Sequence, residues 1–217
     1  MATQTDIRRP GRPTGAQGEV KQALIAAARR LFAAQGYGVP LRAVAEDAGV
    51  NPAMIHYYFG DKQGLYEAVL QETVGPFLTR LREVATQPSP GQGEIRAFLE
   101  AYIGMLASNP WIPQLIIREV LADHGRFRDR FIRQFASQGR ALLVELIGRE
   151  QRTGHLRADL DPELAGLSLM SLALFPFLAL PVARAVFAFD TQPGFIERFI
   201  GHTESLFFQG ARAGDSP

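Results

Sequence analysis

The chain has 217 residues, 47% hydrophobic and 21% charged, with a formal net charge of +1. That balance excludes wholesale disorder, and the length is enough to bury a sizeable core. The absence of cysteine removes disulfides, thiol nucleophiles and cysteine-zinc sites together.

Taken in chain order, residues 1–18 are rich in Gly, Pro, Arg and Gln and read as a mobile arm. They lack the apolar stretch of a signal peptide, so a cytoplasmic protein is expected. Residues 1–62 carry eight basic side chains against five acidic, and the remainder 15 against 17. A modestly basic head on a slightly acidic body suits nucleic-acid contact at one end. A first helix is predicted from about Glu19 to Gln35, with Val20, Leu24, Ala27, Ala28, Leu31 and Phe32 on one stripe, ended by Gly36 and Gly38.

Leu41, Val44, Ala45 and Ala48 then recur at helical spacing up to Gly49, which can adopt the left-handed conformation of a sharp turn. Asn51 supplies a side-chain cap and Pro52 fits a first helical position, so a second helix starts at once. Ile55 and Phe59, four apart, anchor that helix from below. Ala53, Met54, His56 and Tyr57 are left on or near its outer side, where a major groove could be touched. An ordinary helical hairpin would use a similar turn, and spacing alone does not separate the two.

Asp61 caps a long fourth helix through Leu65, Val69, Leu78 and Leu81, which Gly75-Pro76 is expected to kink or break. QPSPGQG, residues 87–93, is the clearest linker. Further helices are predicted from about Glu94 to Ala107, from an Asn109-Pro110 start to about Ala122, from Phe127 to Gln151, after Asp161-Pro162, and from Pro193-Gly194 to near Gly210. Pro176 and Pro181 should bend the helix that contains them. No apolar run is long enough to cross a bilayer; the nearest, 164–189, is interrupted by Ser168, Ser171, Pro176, Pro181 and Arg184. The expected fold is all-α, divided into an arm (1–18), a helix-turn-helix unit (19–65) and a larger helical bundle (66–212).

The pattern GVPLRAVAEDAGVNPAMIHYYFGDKQGLYEAVL, with the amphipathic helix before it, resembles the DNA-binding domain of the TetR (tetracycline-repressor-like) family of bacterial regulators. Its most specific part is Ala45, Ala48-Gly49-Val50, Tyr57-Tyr58-Phe59, Lys62 and Leu65, all in family register. The resemblance implies that Asn51, Pro52, Ala53, Met54, His56 and Tyr57 lie on the recognition helix and its approach. It makes Tyr57 a phosphate contact, Tyr58 and Phe59 core, and Lys62 a contact to the DNA backbone. Lysine at a helix N-terminus is physically suited to that task, and Arg42 is a second phosphate candidate. Arg9 and Arg12, in RRPGRP, resemble hooks for a narrow A·T-rich minor groove, the alternative being a solvated tail. One departure stands out. The family usually has Thr or Ser at Pro40, where the hydroxyl caps the second helix and meets phosphate, so either affinity falls or Arg42 and the arm compensate. The loop Gly36-Tyr37-Gly38 is also a residue shorter than usual.

For the C-terminal part the resemblance implies a helical domain that dimerises and holds a small-molecule effector. Met105, Trp111, Leu115, Phe127, Phe131 and Phe175 are candidates for an apolar pocket, with Arg118 and Glu119 as polar groups at its rim, although for any one aromatic plain core is the commoner role. The abundance of Phe suggests an apolar effector. Leu174, Leu178, Val182, Phe195, Phe199 and Leu206 are candidates for a dimer seam. The four histidines are scattered, and no HExxH, GxxxxGK[ST] or nucleophile elbow occurs, so no enzyme, metal or cofactor is expected. The reading is a homodimeric regulator of double-stranded DNA, more naturally a repressor. The alternatives are a helical enzyme using Glu119 and His124 on a hydrophobic substrate, or an adaptor that has lost DNA binding.

Overall fold

The first helix starts earlier than its stripe suggests, at Thr14, in a computed structural model that describes residues 14–86, 93–122 and 128–211. The chain is helical with no strand among those residues, and it divides into two compact units, up to Val69 and from Leu70 onward.

In the first unit α1 (Thr14–Gln35) packs on α2 (Leu41–Asp47), followed by α3 (Ala53–Phe59) and the start of α4 (Lys62–Thr86). Leu24, Ala27, Ala28 and Phe32 of α1 are buried, together with Val44 and Ala45 of α2, Ile55 of α3 and Leu65, Tyr66 and Val69 of α4. Methyl-sized side chains at Ala27, Ala28 and Ala45 permit close helix approach. The Tyr66 ring lies 4.7 Å from Phe32 and 5.1 Å from Tyr37, both edge-on, an arrangement favoured by the aromatic quadrupole. Tyr58 and Phe59, expected in the core, are only half-buried; α3 is short and lends one residue, Ile55, to full burial.

The second unit contains the rest of α4, then α5 (Glu94–Ser108), α6 (Trp111–Leu115), α7 (Arg128–Phe131), α8 (Ser137–Arg152), α9 (Pro162–Leu178), α10 (Leu180–Phe187) and α11 (Pro193–Ala211). Helix α5 packs on α11 and α9, and α8 on α9. Two aromatic clusters fill the interior, Phe77-Phe98-Tyr102 and Phe177-Phe189-Phe195-Phe199. Burial pushes the Tyr102 phenol above its ordinary range, so it stays protonated. Pro76 breaks nothing: α4 is continuous through it. Pro176 likewise sits inside α9, and the chain turns by 83° only where α9 gives way to α10, with Pro181 in the first turn of the new helix.

Two sequence readings of helix ends need correction. Asn109 does not cap the next helix; its Nδ2 donates to Met105 O at 2.9 Å and closes α5. The 127–151 helix is not uniform either, because Ile132–Ala136 is wound as a π-helix between α7 and α8. A second π turn, Ile116–Leu121, continues α6. Asp161 behaves as expected, accepting from the Glu163 and Leu164 amides at 2.8 and 3.3 Å.

The C-terminal end of α4 is held by Arg149 of α8. Its guanidinium donates to Ala85 O at 2.7 Å and Val84 O at 3.0 Å, and pairs with Glu94 at 2.8 Å. Those carbonyls have no intrahelical donor, so a half-buried cation there satisfies groups that would otherwise be stranded. Burial raises the Glu94 carboxyl above its ordinary 4.5; Arg149 opposes that shift and nearby Glu150 adds to it. A carboxyl with a raised folded pKa binds its proton more tightly when folded, so its contribution to stability is present below 4.5 and is lost as pH rises through the raised value. Denaturant unfolding of Glu94→Gln beside the wild type should therefore show the difference moving against the wild type as pH rises above 4.5. A constant difference would remove burial as the dominant influence on Glu94.

Candidate nucleic-acid interface

The interface is built on the reversal between α2 and α3. Pro40 precedes α2 with extended backbone (φ −67°, ψ 141°) and caps it only through its carbonyl, which accepts from Ala43 N at 3.1 Å. No side-chain cap exists at that end, as the missing hydroxyl implied. Gly49 takes φ 66°, the left-handed value the turn requires. Asn51 Oδ1 accepts from Ala53 N at 2.9 Å, which starts α3 two residues after the turn.

Ile55 is fully buried while Tyr57 is 68% exposed, so α3 is anchored on one side and bare on the other. Ala53 and His56 are exposed as well, as are Asn51 and Pro52 ahead of them, and Met54 is half-buried. At the far end Gly60 has φ 77°, and its carbonyl oxygen lies 2.8 Å from His56 Nδ1. Asp61 Oδ1 accepts from Gly64 N at 2.8 Å, capping α4. A β-carbon on Gly64 would land on the Phe59 carbonyl oxygen, so this reversal is too tight for alanine.

Lys62 opens α4 with its ammonium 4.6 Å from the Tyr37 ring centroid. The short loop Gly36–Gly38 thereby lends an aromatic face to a cation that the resemblance assigns to phosphate. Arg42 is exposed and paired with Glu46 four residues on at 2.9 Å. A surface pair of this kind is worth about 0.2–1 kcal/mol, little enough for phosphate to displace. Sequence reasoning missed the Arg30–Asp47 pair at 2.6 Å, 17 residues apart, which ties α1 to the end of α2. Arg9 and Arg12 lie outside the described residues.

In the second unit five members of the eight-residue candidate pocket are at least half-buried: Trp111 and Leu115 fully, Met105, Glu119 and Phe131 partly. Arg118 is exposed, Phe175 is 66% exposed, and Phe127 lies outside the described residues. Arg118 and Glu119 both sit in the π turn that continues α6, and α7 packs against that turn. Arg128, which the sequence did not single out, donates to Val120 O at 2.8 Å and Ala122 O at 2.5 Å, closing the turn's end. Of the candidate seam, Val182 and Leu206 are exposed and Leu174 and Leu178 half-buried. Phe195 and Phe199 are half-buried with their rings against Phe189.

A short helix anchored on one side and bare on the other, reached through a glycine turn from a second helix, has the geometry of a helix-turn-helix. Residues 24–69 match the model of the bacterial regulatory proteins of the tetR family. The regulator RutR of Escherichia coli K12 is 28% identical over 165 residues, covering 74% of this chain and 75% of RutR. The repressor BdcR of the same strain is 36% identical over 91 residues, 42% of this chain and 45% of BdcR. In fold the chain is similar to the regulator FadR of Bacillus subtilis solved with stearoyl-CoA, with TM-score 0.72, 17% identity and coverage of 87% and 98%. Over residues 24–69 the chain is similar to the TetR family of DNA-binding transcriptional regulators, and RutR extends a weaker similarity over most of its length.

Removing the Lys62 ammonium should weaken all duplexes alike. For Lys62→Ala, the slope of log affinity against log salt should fall by about one unit. Titration of specific and scrambled duplexes at several salt concentrations measures this; an unchanged slope would take Lys62 off the phosphate backbone.

Proposed function

We propose that the chain is a cytoplasmic, homodimeric repressor that leaves a palindromic operator when a small apolar effector binds its C-terminal domain. The observation that carries the reading is the exposed outer side of α3 over a fully buried Ile55. Arg42, Lys62, Tyr57 and the arm residues Arg9 and Arg12 would position the protein on phosphate and in the minor groove. Asn51, Pro52, Ala53, Met54 and His56 would meet base edges or their immediate surroundings.

The effector region centres on Met105, Trp111, Leu115, Glu119 and Phe131, together with Phe127. It is supported by two π-helical turns, a form frequent at functional sites, among mostly apolar side chains. FadR, similar in fold, is a regulator solved with an acyl ligand, stearoyl-CoA, and BdcR is a repressor. The dimer seam is supported by the apolar, exposed face of α9 (Leu164, Leu167 and Phe175), with Val182 and Leu206 beyond it. On that evidence Phe175 belongs to the seam rather than to a pocket, and Leu174 and Leu178 stand behind it.

Fluorescence anisotropy of the purified protein against DNA upstream of its own gene, at two salt concentrations with scrambled competitor, tests the core of the proposal. Specific, salt-sensitive binding is expected; no binding to any duplex at low salt would overturn it. Leu167→Asp tests the seam by sedimentation. A dimer that becomes a folded monomer is expected, with weaker operator binding, whereas an intact dimer would place the seam elsewhere.

A further inference from the structure

We propose that His56 reads an exocyclic amino group in the major groove, adenine N6 or cytosine N4, and discriminates against guanine and thymine on the strand it faces. The inference rests on the reading of α3 as the recognition helix and adds to it the chemistry of one contact.

It follows from the hydrogen bond between His56 Nδ1 and Gly60 O, 2.8 Å apart. A carbonyl oxygen only accepts, so Nδ1 carries the proton. A neutral imidazole has a single N–H, which leaves Nε2, at the other end of the ring, as a bare acceptor. His56 is exposed, and Nε2 makes no hydrogen bond among the described residues. The partner carbonyl is held by the fold: Gly60 sits at φ 77° with its amide bonded to His56 O at 3.0 Å, so the ring folds back over its own helix end.

The neighbouring side chains do not share this property. Ala53 has no polar side-chain atom, Met54 offers only a weak thioether, and the Tyr57 hydroxyl both donates and accepts. Asn51 Oδ1 is occupied by Ala53 N, leaving its NH2 to donate outward. With a neutral ring, His56 is therefore the strong acceptor that cannot also donate. In the major groove adenine and cytosine present amino donors, whereas guanine presents N7 and O6 and thymine presents O4 and a methyl. An acceptor against a keto oxygen is repelled and left desolvated. The opposite tautomer would prefer guanine or thymine, so the bond to Gly60 sets the sign of the preference.

The test is selection from a duplex library with 20 randomised base pairs, using the full chain as wild type and as His56→Phe. One position in each selected half-site should be adenine or cytosine on one strand, and that preference should vanish in the variant while the others persist. Replacing the selected base by its analogue without the amino group, purine for adenine or pyrimidin-2-one for cytosine, should weaken wild-type binding by about two- to tenfold, the worth of one hydrogen bond. Nitrogen-15 chemical shifts of the His56 ring in the free wild-type protein should show the Nδ1–H form, and they decide the matter even if the variant does not fold. A guanine or thymine preference at the His56-dependent position, an Nε2–H ring, or an equal loss on every sequence overturns the inference. Enrichment unaffected by the variant overturns it alone; no enrichment over the starting library overturns the reading of α3 with it.

Discussion

Helix α4 is the one element that belongs to both units, running from Lys62 to Thr86 across the division at Val69. Its continuity has to be maintained against Pro76, since an interior proline removes a ladder bond and costs about 3 kcal/mol or more. Val74, Phe77, Leu78 and Leu81 supply the opposing burial around that point. Each end is satisfied by a side chain: Asp61 accepts from Gly64 N at the start, and Arg149 donates to Val84 and Ala85 at the finish. In the proposed regulator an effector signal would pass along this helix, the element that the two units share. Arg149 and Glu94 lie 55 residues apart in sequence yet meet at the helix end, so the far end of that path is fixed by the bundle itself.

Helix α3 is economical. Seven residues hold one fully buried anchor, and both ends are closed by exposed side chains, Asn51 and His56, that the proposed function places toward DNA. Capping thus orients the groups that recognition would use, which removes rotamer freedom before DNA arrives. The same economy explains why Pro40 is tolerated: its carbonyl takes the Ala43 amide, so α2 starts without a side-chain oxygen. The cation on that helix, Arg42, is tied to Glu46 only by an exposed pair.

Features set by local rules were legible in the sequence. Gly49 turns left-handed, Asn51, Asp61 and Asp161 cap, and Leu24, Ala27, Ala28 and Phe32 of the α1 stripe are buried, with Leu31 half-buried. Asn109 failed because an asparagine before a proline can close one helix as well as open the next, and its bond to Met105 O decided the matter. The π turns have no composition signal. Helix α9 was the hardest case. It is apolar on all sides, so its periodicity does not say which face is inward, and Phe175 emerged exposed while Leu174 and Leu178 turned partly in. Arg149 was illegible for a different reason: its partners are distant in sequence, and only packing brings them together.

The outward face of α9 constrains what the molecule does next. Leu164, Leu167 and Phe175 follow helical spacing, each more than 60% exposed, and Val182, Val186 and Phe187 extend the apolar surface past the 83° turn into α10. Burying a side chain of this size is worth about 1.5–3 kcal/mol, and folded monomers rarely leave a large contiguous apolar patch in water. A two-fold axis through such a face counts every residue twice and closes the assembly at two copies. In the proposed dimer the same contact also sets where the two α3 helices stand, and half-sites in successive major grooves demand about 34–36 Å between them. Adhesion on α9 and spacing on DNA are then one constraint, so a substitution in the seam that preserves dimerisation but alters its angle changes the operator spacing the protein accepts.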